Sequence, residues 1–190
     1  EQLKQIKISN DRMVELVDTL LNVSRIEMGT LKLDVERIKL TTIIESIVQE
    51  LSSTIKGKQI RLEENFAKNI PAIRSDSKVL RMIFQNLITN AVKYTPSKGT
   101  VKLELKLSKD KKSVLISISD TGYGIPKKQQ SKIFGKLFRA DNAAEKVTDG
   151  TGLGLYIVKG AVEKLGGKVW FESEENKGST FYFTLPIKKS

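Results

Sequence analysis

The sequence predicts an α+β chain in which one long amphipathic helix precedes a body of interleaved helices and strands. Three observations carry that prediction. First, Leu3, Ile6, Asn10, Met13, Val17, Leu20 and Ser24 recur at alternating steps of three and four and are mostly apolar, which is the seam of a coiled coil or helical bundle. Second, residues 100–107 and 114–120 alternate with period two around Asp110-Lys111-Lys112, the pattern of two strands joined as a hairpin. Third, helical spacing returns between strand-like runs, as in Leu80, Ile83, Phe84, Leu87 and Ala91.

The elements follow in order. Val14, Leu16, Leu21 and Val23 widen the first apolar stripe so far that the helix needs partner helices, and Gly29 supplies its stop. Residues 31–40 read as a strand and a connection. Thr41 or Thr42 is expected to cap one helix through about Lys56, with Ile43, Ile44, Ile47, Val48 and Leu51 inward and Gly57 as its end. Short strands are expected at 59–66 and 72–74, separated by a loop with Pro71, and Ser75 or Asp76 then caps a long helix to about Tyr94. After Pro126, Ile133, Phe134, Leu137 and Phe138 form an apolar knot, and residues 139–149, lacking periodicity, read as a mobile loop. An amphipathic helix carrying Ile157, Val158, Ala161, Val162 and Leu165 follows, stopped by Gly166-Gly167. A hairpin of 168–172 and 180–185 closes the chain before Pro186.

Composition narrows the chemistry. The 190 residues suffice for one ordinary domain with an appendage. With no Cys there is neither a disulfide framework nor thiolate chemistry, and with no His the commonest acid/base group and metal ligand is missing. A net charge of +11, from 33 basic and 22 acidic residues, favours polyanionic partners such as nucleotides. The basic residues are scattered without aromatic interleaving, so nucleic-acid binding is not expected. No apolar run approaches the roughly 20 residues needed to cross a bilayer, and the first residues do not read as a signal peptide, so no membrane contact is expected of this segment.

Three stretches carry chemistry. Val114, Ile116 and Ile118 form the inward face of a strand, and Asp120 falls in phase with them, aiming a carboxylate at the core just before Gly122 and Gly124. Alone, this reads either as a polar pocket or as an ordinary Asp/Gly turn. On the long helix, Asn86, Asn90 and Lys93 form a polar stripe beside the core stripe; amide oxygens suit Mg²⁺ and Lys suits phosphate. Gly150-Thr-Gly-Leu-Gly-Leu155 opens a helix, offering free N–H groups and a positive dipole end to anionic phosphates, although it is not the Gly-x-x-x-x-Gly-Lys-Ser/Thr loop.

Jointly these pieces resemble the two-component sensor histidine kinases of the GHKL ATPase superfamily. Asn86-Leu-Ile-Thr-Asn90-Ala-Val-Lys93-Tyr94-Thr is similar to the N box, and Asp120-Thr-Gly-Tyr-Gly-Ile-Pro126 to the G1 box. Ile133-Phe134 to Phe138-Arg139 is similar to the F box, Gly150-Thr-Gly-Leu-Gly-Leu155 to the G2 box, and Gly178-Ser-Thr180-Phe with Phe183-Thr-Leu-Pro186 to the family's ending. Asn22-Val-Ser-Arg-Ile-Glu-Met-Gly29 resembles the end of the second dimerisation helix. The resemblance implies a Bergerat-type two-layer α/β sandwich, a mixed and largely antiparallel sheet with helices on one face. It divides the chain into residues 1–29, the second helix of the dimerisation hairpin; residues 30–40, a linker and first strand; and residues 41–190, the ATP-binding catalytic domain.

The resemblance also implies roles. Asp120 would accept a hydrogen bond from the adenine amino group with Thr180 helping through water, and Ile125 and Tyr94 would pack near the base. Asn90 would ligate Mg²⁺, Asn86 and Lys93 would lie near the phosphates, and Arg139 would meet the γ-phosphate. Gly122 and Gly124 would let the base approach, and Gly150, Gly152, Leu153 and Gly154 would line the phosphates. The implied function is a protein histidine kinase that binds Mg-ATP and phosphorylates a His for relay to a response regulator, on the cytoplasmic side of a membrane-anchored parent, with a homodimer or higher self-association expected through the N-terminal helix.

Two departures stand beside it. The family's phosphoacceptor His lies on a preceding helix and this sequence holds no His, so the chain is expected to be a catalytic fragment that does not label itself. The F box reads Phe134-Gly-Lys-Leu-Phe138 where the family usually has an acidic residue and Pro after the first Phe. The rival readings are an ATP-driven conformational ATPase like gyrase or the heat-shock chaperones, and a non-catalytic ATP-binding regulator. Those ATPases carry a Glu base where this chain has Asn86, and an amide cannot accept the proton.

Overall fold

The computed structural model describes residues 2–147 and 150–187 and, for part of the first helix, the backbone alone. That helix, α1 (Gln2–Glu27), lies along the predicted seam. Ile6, Met13, Val17 and Leu20 of the seam are each at least half exposed, whereas the side chain of Leu3 lies outside the described residues. Among the described residues, the last turns of α1 are covered: Val23 is buried with Leu153 and Ile157, and Ile26 packs against the same cluster.

After β1 (Glu36–Ile38) the chain forms α2 (Leu40–Glu50) and α3 (Ser52–Gly57), two helices where the apolar period predicts one. Lys39 is the N-cap without a side-chain bond, so Thr41 and Thr42 sit inside the first turn. Burial of Leu40 and Ile44 against the core sets the start instead. Next come β2 (Arg61–Phe66), β3 (Ile73–Ser75) and α4 (Ser77–Tyr94). Of the two caps read, Asp76 serves: its carboxylate accepts from Lys78 N at 2.8 Å and Val79 N at 3.0 Å, and its second oxygen takes Asp34 N at 2.7 Å.

The remaining elements are β4 (Thr100–Leu107), β5 (Ser113–Asp120), a 3-10 turn (Lys127–Lys132), α5 (Asp141–Lys146), α6 (Gly154–Lys164), β6 (Val169–Glu174) and β7 (Gly178–Pro186). Strands β2-β4-β5-β7-β6 form one sheet, parallel only between β2 and β4. Strand β1 pairs antiparallel with β3 in a separate small sheet, which ties residues 36–38 to the body that follows.

Helices α2, α4 and α6 pack side by side over one face of the large sheet, giving a two-layer sandwich. The inward residues are those of the period-two reading: Val101, Leu103 and Leu105 from β4, Val114, Ile116 and Ile118 from β5, and Phe181, Phe183 and Leu185 from β7. Phe84 of α4 meets Phe183 edge-on at 5.4 Å between centroids, joining the layers. The opposite face is polar, with Glu104 accepting from Asn65 and Ser117 and pairing with Lys102 and Lys106.

Candidate nucleotide site

The site collects at one end of the sandwich, where α4, the loop after β5 and the start of α6 converge. On α4, Asn86 is held through its amide nitrogen. Its Nδ2 donates to Met82 O at 2.8 Å, and its Oδ1 lies 2.5 Å from where a Cβ on Gly154 would stand. Asn90, one turn on, is half-buried, and Lys93 ends the same stripe with Nζ 5.9 Å from the Tyr94 ring.

Across from this stripe lies Asp120, at the end of β5. Its Oδ1 accepts Gly122 N at 2.8 Å, and Ser179 N also donates to the carboxylate. Burial nevertheless pushes the Asp120 carboxyl up from 3.8 to about 6, outweighing the two N–H groups that pull it down. Gly122 is required here, since a Cβ would stand 2.5 Å from Tyr94 O and 2.6 Å from Asp120 Oδ1. Ile125 closes the loop by packing on the core and donating its N–H to Ser173 Oγ at 2.8 Å.

Thr180, assigned to the base by resemblance, is not brought to the inward side of Asp120. It lines an open groove of about 360 Å³ with Asp120, Ser173 and Ser179, but its hydroxyl donates to Ser119 Oγ at 3.0 Å. Ser179 is the residue opposite Asp120 in the β5–β7 register, and its hydroxyl is 2.9 Å from that of Ser173. The signal was available: Phe181, Phe183 and Leu185 are inward, so period two puts Ser179 inward and Thr180 outward.

Lys93 and Arg139 converge on Gly150, whose ideal Cβ position is 3.6 Å from Lys93 Nζ and 3.5 Å from Arg139 Cζ. Arg139 also donates to Gly150 O at 3.4 Å and to Val147 O, so it ties the two ends of the intervening loop together. Gly152, with φ +69°, passes so close to Leu137 that a Cβ would lie 2.6 Å from its carbonyl carbon. Leu153 is buried against α1, so towards the stripe it offers backbone only. Two cations, amide groups and the N-terminus of α6 thus face one another, a donor set suited to polyphosphate.

Two expectations for this region change. Leu137 does not join the apolar knot; it is 73% exposed with φ +57°, while Ile133 is buried and Phe134 and Phe138 pack on the core. The stretch read as a mobile loop contains α5, although residues 148–149 of it lie outside the described residues. Helix α5 is held by tertiary bonds rather than by periodicity: Asn142 Nδ2 donates to Tyr123 O at 3.3 Å and Gly124 O at 3.1 Å, and Asp141 N donates to Gln129 Oε1 at 3.0 Å. Asn142 therefore clasps α5 to the Asp120 loop. Replacing it with Ala is expected to speed release of a fluorescent ADP about tenfold, since one or two neutral hydrogen bonds are worth about 1.4 kcal/mol together. Unchanged release in a stopped-flow chase would refute the clasp.

Comparison with known proteins places this geometry. Residues 75–189 match the family described as histidine kinase-, DNA gyrase B-, and HSP90-like ATPase. The chain belongs to that family. Among its relatives, sensor histidine kinase WalK of Bacillus subtilis (strain 168) is 34% identical over 94% of the chain and 29% of its own length. Histidine protein kinase 1 of Candida albicans is 36% identical over 97% of the chain and 8% of its own length. The solved structure of full-length ShkA in complex with AMPPNP superposes with a TM-score of 0.84 at 27% identity, over 98% of the chain and 38% of that protein. The chain spans less than half the length of these relatives. The superposition includes the mixed sheet with helices on one side.

Proposed function

We propose that this chain is the nucleotide-binding catalytic part of a sensor histidine kinase, transferring the γ-phosphoryl group of Mg-ATP to a His on a helical hairpin domain for relay to a response-regulator Asp. Residues 1–29 serve as the second helix of that hairpin, residues 30–40 as linker and first strand, and residues 41–190 as the ATP-binding domain. The observation that carries this reading is the convergence of Lys93, Arg139 and the glycine-rich start of α6 at one end and the half-buried Asp120 carboxylate at the other. Relatives named sensor histidine kinases, and a similar structure solved with AMPPNP, support it.

When bound, ATP supplies the phosphoryl group, and the chain's own residues position it. Asp120 accepts from the adenine amino group, with the Ser179 hydroxyl beside it. Tyr94 and Ile125 flank the base, and Gly122 and Gly124 let it approach the backbone. Lys93 and Arg139 neutralise phosphate charge, and the backbone of Gly150, Gly152, Leu153 and Gly154 adds N–H groups. Asn90 would hold Mg²⁺ through its amide oxygen, and the ion would neutralise phosphate charge there. Among the described residues no group of three or more Asp, Glu, His or Cys could hold a metal. A single protein oxygen with phosphates and water is a donor set that Mg²⁺ accepts.

A conformational ATPase is disfavoured by Asn86, whose side chain is an amide, with its Nδ2 donating to Met82 O and its Oδ1 beside Gly154. Neither can take a proton from water. The exposed stripe of Ile6, Met13, Val17 and Leu20 fits self-association as a dimer. A structure similar in fold holds a histidine kinase with its response regulator, in keeping with a receiver-domain partner. No helix among the described residues is long and apolar enough to cross a membrane. Membrane attachment and cytoplasmic placement of the parent are therefore carried by the resemblance alone.

The test is transfer in trans. With Mg²⁺ and γ-labelled ATP the chain should remain unlabelled, having no His, yet label a separate helical hairpin that carries the family's phosphoacceptor. Acid-labile label that disappears with Asn90→Asp is the expected result. Rapid phosphate release without label would instead establish the conformational ATPase.

A further inference from the structure

The last turn of α4 bears Lys93 and Tyr94, and like every helix end it leaves carbonyls without intrahelical donors. Ala91 O is satisfied locally, taking Thr95 N at 3.1 Å and the buried Thr95 hydroxyl at 2.6 Å. The next two are satisfied from far away in sequence. Val92 O and Lys93 O both accept from one atom, Lys58 Nζ, at 2.8 and 2.9 Å. Tyr94 O in turn faces the loop after β5, accepting Tyr123 N at 3.4 Å.

Lys58 is itself anchored. It is the C-cap residue of α3, and its backbone carbonyl accepts Lys98 N at 2.9 Å, so the turn that follows α4 is tied to the same residue. An ammonium on two backbone carbonyls at a helix C-terminus also meets the negative end of the helix dipole. Burial lowers the pKa of Lys58, the mark of a cation drawn out of water to make these bonds. A lysine serving only solubility would keep its head in solvent.

We propose that Lys58 is a positioning residue for nucleotide binding: by clamping Val92 O and Lys93 O it fixes the last turn of α4, and with it the Lys93 side chain and the Tyr94 carbonyl against the Asp120 loop. The proposal rests on the nucleotide site described above. Lys58 touches no nucleotide itself; it sets the place of residues that do. Its effect is directional, since a slipped last turn moves Lys93 away from Gly150 and loosens the wall beside Gly122.

The test is calorimetric titration of the 190-residue chain with AMPPNP and Mg²⁺. Lys58→Met should bind about tenfold more weakly, the scale of two hydrogen bonds to a charged group lost in part. Lys58→Arg, which keeps the charge and can reach both carbonyls, should bind within about threefold of the parent. Ile55→Val, which trims the buried Ile55 of the same helix, serves as a stability-matched control and should leave affinity unchanged. Equal affinity for Lys58→Met and parent, or an equal loss in Ile55→Val, would overturn the proposal. Asp120→Ala separates the two readings: if it abolishes binding while Lys58→Met does not, only the role of Lys58 falls, whereas normal binding by Asp120→Ala removes the site and the positioning role together. Should Lys58→Met fail to fold, Lys58→Gln keeps a donor for one of the two carbonyls and should give an intermediate loss of about threefold.

Discussion

Asp120→Asn is expected to weaken ATP binding about 100-fold, the loss of one hydrogen bond to a charged acceptor at about 2.7 kcal/mol, while the free fold becomes more stable at neutral pH. The two effects share a cause. Burial raises the Asp120 carboxyl from 3.8 to about 6, so the folded chain holds this proton more tightly than the unfolded chain. The contribution of Asp120 to stability is therefore fully present below about pH 4 and is lost as the pH rises through about 6. At pH 7.5 the parent carries a destabilising charge worth up to about 3 kcal/mol, which the amide does not. Urea unfolding of parent and variant should differ at pH 7.5 and converge near pH 4. Affinity of the parent for ATP should fall as the pH drops through about 6, because the carboxylate that accepts from the base becomes protonated. A variant less stable than the parent at pH 7.5, or one that binds ATP normally, would refute the account.

The second large effect is expected at Gly178, where β7 begins beside Asp120. Its φ is +117°, and a Cβ would lie 1.9 Å from Asp120 O, a backbone atom of the central strand that cannot swing away. Gly178→Ala should therefore destabilise the fold by about 3 kcal/mol or more, lowering Tm by roughly 10 °C in a domain of this size. Nucleotide affinity should fall with it, because Ser179, the next residue, donates its N–H to the Asp120 carboxylate. Gly166→Ala is the control that separates clash from backbone strain. It too has positive φ, +79°, but its added Cβ meets only Pro186 Cγ, at 3.7 Å. It should cost about 1 kcal/mol. Similar losses at the two positions would show that conformational strain alone, and not the approach of β7 to β5, governs Gly178.

Much of this molecule was legible in its residues. Period two placed Val114, Ile116, Ile118 and Asp120 on one face, and the structure buries the three apolar side chains and half-buries the carboxylate. Asp76 announced the start of α4 because an N-cap is a local bond between a side chain and the next residues' N–H groups. The N-terminal seam was equally plain, since a repeat of three and four needs only one helix to be seen. Local rules misled where burial overrode them: Thr41 and Thr42 are good caps, but Leu40 is buried and the helix starts with it.

The tertiary structure alone decided whatever depends on segments far apart in the chain. It broke the helix at Leu51, held α5 in place through Asn142 and left Leu137 exposed, none of which any local period records. It also joined Lys58 to the end of α4, 34 and 35 residues away, through bonds to backbone carbonyls that every residue possesses and no motif can mark. What the sequence determined by itself was the set of elements and the chemical types in the site, because hydrophobic period, caps and glycine punctuation act over a few residues. Which hydroxyl stands beside Asp120, and which cations meet at Gly150, were decided by strand register and helix packing, because those are set by the sum of many contacts across the whole core.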